Sequence, residues 1–191
     1  IRQSLVGSEM CIRDRTKGDV VAGYLLNHPD AIASFIATNS LGAVWSCCSP
    51  DFGVESIVNR FSQLDPKVLL VHKSYSYNGK IFNQENKITR LEEKLPTIIK
   101  TVIFDSNFNS WNLKSNYWID FELDSVEFNH PIWVLFSSGT TGRPKAILHD
   151  LSIFLKRYSL PRPAYRTLNF LLFDHIGGLN TLFHTLFNEG Q

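Results

Sequence analysis

Several short runs in this chain are apolar at nearly every position, and that pattern leaves few folds open. The clearest are Lys67-Val-Leu-Leu-Val71 and Ile132-Trp-Val-Leu-Phe136. A strand with water on one face alternates apolar and polar residues. An uninterrupted apolar run needs cover on both faces, as in a parallel sheet held between two layers of helices. Val20-Val-Ala-Gly-Tyr-Leu25, Ala43-Val-Trp-Ser-Cys47 and Thr101-Val-Ile-Phe104 read as further strands.

Between these runs the spacing turns helical. Asn27-His28-Pro29 is a turn with the proline placed for a first helical turn, after which Ala31, Ile32, Phe35 and Ile36 share one face. Gly42 stands where that helix stops. Ile57, Val58, Phe61 and Leu64 mark a second helix, closed by Asp65-Pro66, and Ile88, Leu91 and Leu95 mark a third. Residues 73–87 read mainly as loop and 105–130 as an irregular surface connection. Strands and helices alternating in this order predict an α/β domain with a mostly parallel sheet flanked by helices.

The remaining bulk features narrow the function. With 43% hydrophobic and 19% charged residues, the 191-residue chain has material for a real core. A formal net charge of +1 provides no field to draw nucleic acid or an anionic membrane. Its greasiest run, Leu168-Asn-Phe-Leu-Leu-Phe173, falls far short of the roughly 20 residues of a membrane span. Three cysteines, Cys11 and the adjacent Cys47 and Cys48, offer neither a disulfide framework nor zinc-ligand spacing. A reduced, cytoplasmic setting follows. Residues 1–15 lack any period or punctuation and read as a foreign or disordered leader, leaving 16–191 as the folded part.

The segment with the most chemistry leaves the Ile132–Phe136 strand directly. Ser137, Ser138, Thr140 and Thr141 supply hydroxyls, Gly139 and Gly142 permit a tight turn, and Lys145 adds a positive charge. Backbone N–H groups in such a loop form a concavity for anions, and the lysine answers phosphate oxygens. The spacing is not that of a Walker A loop, because only two residues separate the glycines and the lysine falls three after the second. A kinase-like or P-loop phosphotransferase is disfavoured on those grounds. The bland alternative is a polar turn between two elements.

This run, Ser137 to Lys145, resembles the signature of the adenylate-forming superfamily, which includes acyl-CoA synthetases, nonribosomal-peptide adenylation domains and luciferases. Two further stretches, residues 18–30 and 41–53, the second containing Trp45-Ser-Cys-Cys-Ser-Pro-Asp-Phe-Gly53, are similar to acetoacetyl-CoA synthetases and their acetyl-CoA and propionyl-CoA relatives. That likeness covers residues 18–147. Residues 148–191 look more like another acyl-CoA ligase subfamily, with Phe173-Asp-His-Ile-Gly-Gly178 similar to the family's next core motif.

The resemblance implies part of a large N-terminal AMP-binding domain, with the C-terminal domain and its catalytic lysine lying outside the chain. It implies ATP, Mg²⁺ and coenzyme A, a small carboxylic acid of the acetoacetate kind, and an acyl-adenylate intermediate. The phosphates would rest on Ser137, Ser138, Gly139, Thr140, Thr141, Gly142 and Lys145, and the acyl group near His175, Gly177 and Gly178. Adenylation for a carrier protein without coenzyme A, or a non-catalytic nucleotide-binding remnant, stays open beside it. His175 reads equally well as a histidine satisfied by its own loop, and His184 as structural. Cys47 and Cys48 read as packing thiols, and Asp51 as a ligand contact or a helix cap. Lys156, Arg157, Arg162 and Arg166 read as a solvated basic face.

Overall fold

A computed structural model describes residues 17–104, 123–137, 142–158, 160 and 162–189. The expected leader, most of the 105–130 connection and Ser138, Gly139, Thr140 and Thr141 lie outside the described residues. In chain order the elements are β1 (Val20–Tyr24), α1 (Pro29–Ser40), β2 (Val44–Cys48), α2 (Val54–Phe61) and β3 (Val68–His72). After them come β4 (Ser74–Tyr77), β5 (Lys80–Asn83), α3 (Glu85–Lys94) and β6 (Lys100–Phe104). The chain then runs through β7 (Pro131–Ser137), β8 (Lys145–Asp150), α4 (Leu151–Tyr158) and α5 (Ile176–Phe187).

Six strands form one sheet in the order β6-β3-β1-β2-β7-β8. Every pairing from β6 to β7 is parallel, and β8 adds to β7 antiparallel. Alternate residues of each central strand feed opposite faces. On one face Val21, Trp45, Val68, Leu70, Trp133 and Leu135 pack against Ala31 and Phe35 of α1 and Leu179 of α5. On the other, Ala22, Tyr24, Cys48, Leu69 and Val71 pack against Val54, Ile57 and Phe61 of α2 and Ile88 and Leu91 of α3. The wholly apolar runs of β3 and β7 are thus explained, since helices cover both of their faces.

Gly23 sits in β1 because of its neighbour. A Cβ there would stand 2.6 Å from the tip of the Trp45 indole, which is fully buried and meets Trp133 edge-on with ring centroids 6.2 Å apart.

Three elements differ from the sequence-based expectation. Residues 74–83 form a hairpin rather than a loop, with Tyr77 and Lys80 paired across Asn78 and Gly79. Both turn residues have positive φ, 49° and 73°, the conformation a two-residue hairpin of this hand demands. Second, Lys145 begins a strand. The loop after β7 is therefore the connection of an antiparallel pair, with Ser137 and Lys145 as register partners. The second helix also ends sooner, at Phe61, and Asp65 turns the chain with φ 47°. Among the described residues no helix is long and apolar enough to cross a membrane.

Candidate functional site

Parallel strands put their carboxyl ends on one edge of a sheet, and open α/β sheets bind ligands along that edge. Here β2 ends at Cys48 and β7 at Ser137, and above them lies a cavity of about 520 Å³. Its floor comes from Cys47, Cys48, Leu135, Phe136 and Ser137, and Ile147 and His149 of β8 form one wall. Phe52 and Arg60 close a second side, and Asp174, His175 and Ile176 a third.

Three of the residues expected to hold phosphates, Ser137, Gly142 and Lys145, are among the described ones. Ser137 lines the cavity. Gly142 is exposed with φ +88° and open space around its missing Cβ, so its requirement is backbone conformation. Lys145 is exposed at the start of β8 and does not line the cavity. The far end of the loop is tied down by Gln63, whose Nε2 donates to the Pro144 carbonyl at 3.0 Å.

The segment before α5 contributes more than its histidine. His175 is the helix N-cap, with Nδ1 accepting from the Gly177 amide at 3.0 Å. Capping and lining are compatible, because the bond occupies one ring nitrogen. Gly177 and Gly178 do not line the cavity. A Cβ at Gly178 would stand 2.2 Å from the Leu172 carbonyl oxygen, so the chain turns back too tightly there for any side chain.

Asp174, which the motif includes but sequence reasoning assigned no role, is the cavity's carboxylate. Its Oδ2 accepts from the Ser49 amide at 3.0 Å. Burial pushes its carboxyl up, the Ser49 hydrogen bond opposes that, and the charge of Asp51 adds to it. Opposite stands Arg60, its guanidinium 4.6 Å above the Phe52 ring and its Nη1 donating to the Ser56 carbonyl at 2.9 Å. Nothing in the sequence set Arg60 apart from any other charge on an amphipathic helix.

The remaining titratable groups of the wall are electrically quiet. Burial, then the nearby Asp174 charge, pushes both Cys47 and Cys48 thiols up, which keeps them protonated and poor nucleophiles. Burial holds His149 below the usual histidine range, with Asp150 partly opposing. Asp51 does not cap α2, whose N-cap is Gly53 without a side-chain bond. His184 stacks on Tyr165, ring centroids 5.7 Å apart, and Lys156, Arg157, Arg162 and Arg166 are exposed.

A second cluster brings together His28, Asp30 and His72, with Asp30 Oδ2 2.8 Å from His28 Nδ1 and 3.2 Å from His72 Nε2. The donor set suits a divalent metal, but the protons do not. The Leu26 amide donates to His72 Nδ1 at 3.2 Å, which assigns that ring's proton to Nε2. A ligating histidine offers a lone pair to the metal and donates from its other nitrogen. His72 is arranged the opposite way, and its Nε2–H donates to Asp30 instead. The cluster locks the start of α1 to the end of β3.

A parallel sheet with a hydroxyl- and glycine-rich connection at its carboxyl edge, beside a cavity closed by an aromatic-Asp-His-x-Gly-Gly turn, is the plan of an adenylate-forming domain. The chain belongs to the AMP-binding enzyme family, whose pattern matches residues 12–191. It is 39% identical over 145 residues to the acetoacetyl-coenzyme A synthetase of Rhizobium meliloti (strain 1021), covering 70% of this chain and 22% of that protein. To the acetoacetyl-CoA synthetase of Macaca fascicularis it is 34% identical over 152 residues, covering 70% of this chain and 23% of that one. The chain therefore spans under a quarter of the length of these curated relatives. Among solved structures, an acetoacetyl-CoA synthetase from Streptomyces lividans superposes with a TM-score of 0.82 at 28% identity, over 99% of this chain and 32% of that one. A luciferase-like enzyme from the mealworm Zophobas morio shares the fold, with a TM-score of 0.74 at 21% identity, over 99% of this chain and 44% of that one.

Proposed function

We propose that this chain is part of an ATP-dependent acid–thiol ligase that activates a short carboxylic acid of the acetoacetate kind. Supporting this reading are the acetoacetyl-CoA synthetase relatives and, above all, one juxtaposition: Ser137, the residue from which the hydroxyl-rich β7–β8 connection departs, lines the same cavity as Asp174 and His175. In the first half-reaction a carboxylate oxygen attacks the α-phosphorus of ATP. A bond from the acid to phosphorus forms, the bond bridging the α- and β-phosphates breaks, and pyrophosphate leaves with the electron pair. In the second, the thiolate of coenzyme A attacks the acyl carbon and AMP departs.

The physical demand on this chain is charge. An anion must approach a polyanion, so donors must already point at the phosphates before reaction. In this reading Ser137, Ser138, Gly139, Thr140, Thr141 and Gly142 hold the β- and γ-phosphates, with Lys145 as a further electrostatic contact from the rim. Mg²⁺ bound to the nucleotide would supply charge neutralisation of the phosphates beside the donors of Ser137 to Gly142. The acyl group occupies the cavity beside His175, with Gly177 and Gly178 keeping that turn tight. The buried, protonated thiols of Cys47 and Cys48 suit a reducing cytoplasm.

The experiment is acid-dependent pyrophosphate exchange in a complete enzyme in which residues 17–191 replace the matching segment of the Rhizobium meliloti synthetase. Acetoacetate is expected to support exchange. Lys145→Ala is expected to slow it by about 10- to 100-fold, the scale of removing one charged stabilising contact. Exchange that no short acid supports, or that Lys145→Ala leaves unchanged, contradicts the reading.

A further inference from the structure

Phe52 lines the cavity from a loop, residues 49–53, and the structure holds that loop from behind with several side chains. The Pro50 carbonyl takes three side-chain donors: Tyr24 Oη at 2.6 Å, Gln84 Nε2 at 3.1 Å and Lys87 Nζ at 3.2 Å. A carbonyl oxygen has two lone pairs, so three donors are more than satisfying it requires. Lys87 also donates to Tyr24 Oη at 3.1 Å, and the same hydroxyl reaches the Phe52 carbonyl at 3.2 Å. Tyr24 is fully buried, and Gln84 very nearly so.

The front of that loop faces the site. The amide of Ser49, the residue before Pro50, donates to Asp174, and the Phe52 ring supports Arg60. A short path therefore runs from α3 to the Pro50 carbonyl and back along the Pro50 and Ser49 backbone to the cavity's carboxylate. Pro50 stiffens it, because its ring fixes φ. An ordinary loop anchor would need one donor, and the half-buried Lys87 adds a third to a carbonyl that Tyr24 and Gln84 already satisfy.

We propose that Lys87, with Gln84 and Tyr24, acts as a positioning group for the acyl cavity, setting where loop 49–53 stands and so how Asp174 faces the acid. This rests on the function proposed above for that cavity. None of the three touches the cavity itself. Their effect passes from the Pro50 carbonyl along the Pro50 and Ser49 backbone to the Ser49 amide.

Lys87→Met removes the donor and keeps the aliphatic stem. Lys94→Met on the same helix is the control, because Lys94 pairs with Glu55 at 2.8 Å and leaves the loop alone. In the 191-residue chain, Lys87→Met is expected to speed hydrogen exchange of the Ser49 amide by about five- to tenfold, roughly the worth of one hydrogen bond. Lys94→Met should not change it, and Lys87→Arg should restore most of the protection. In the chimeric enzyme, Lys87→Met is expected to raise the KM for the acid severalfold while the KM for ATP stays put. Should Lys87→Met fail to fold, Gln84→Glu removes one donor at constant size and carries the same expectation. Unchanged Ser49 exchange overturns the proposal, as does an acid KM that stays fixed or moves together with that of ATP. A chimera that activates no acid sinks the proposed function alone, and Ser49 exchange then still decides whether the clamp sets the loop.

Discussion

Among single residues, Gly23 carries the sharpest steric demand in the sheet. Gly23→Ala places a methyl against the Trp45 indole, and the indole has no free space, being wedged against Trp133. Overpacking of this kind costs about 1–3 kcal/mol. A lower urea midpoint with an unchanged slope is the expected result, and Trp45→Phe should recover part of the loss in the double variant. An unshifted midpoint would show that the indole can move. In the sequence Gly23 is just a glycine inside a strand, and the partner that explains it lies in a neighbouring strand. The same blindness applies at Arg60 and Asp174, whose roles arise only when α2 and the turn before α5 meet over β2. His175 could be singled out only because Phe173-Asp-His-Ile-Gly-Gly178 is similar to a family motif, and a histidine satisfied by its own loop read equally well. That it also caps α5 could not, since capping needs the helix start fixed to the residue.

At the level of elements, the buried strands and the first three helices were readable because burial leaves a periodic trace. The 74–83 hairpin was not read, although Asn78-Gly79 is the strongest turn signal available. Its strands are short and mostly exposed, and although Ser74-Tyr-Ser-Tyr77 alternates, its partner Lys80-Ile-Phe-Asn83 does not. Strand β8 escaped for a related reason: Lys145 was claimed by the phosphate loop, and the strand beyond it is largely solvent-facing. That strand ends the sheet among the described residues, with Ile147 45% and Leu148 61% exposed. An apolar edge invites pairing with another copy. Leu148→Lys is therefore expected to reduce self-association of the chain, seen by light scattering, with little change in melting temperature. Equal scattering from both proteins would mean that another surface drives association.

Across the whole molecule, the parallel α/β class could be inferred from alternation alone, but the strand order β6-β3-β1-β2-β7-β8 could not. Periodicity says that a strand is buried and nothing about which neighbour buries it. The order has a consequence for assembly. Strands β1, β2 and β3 come from one short stretch of chain and zip together in long register. Strand β7 arrives late: its register with β2 covers only Trp45↔Trp133 and Ser46↔Val134, and the Ser46–Val134 hydrogen bond bridges 88 residues. Closing so long a loop for so short a seam should leave β7 among the last strands to dock and the first to fray. Deuterium uptake at Trp133 and Val134 faster than at Val21 and Leu69 would reveal two cooperative units, and uniform uptake would rule them out. On the function proposed above, the strand that leads into the phosphate-binding turn is then the one with the shallowest footing, so ligand occupancy would act as mortar between halves of the molecule.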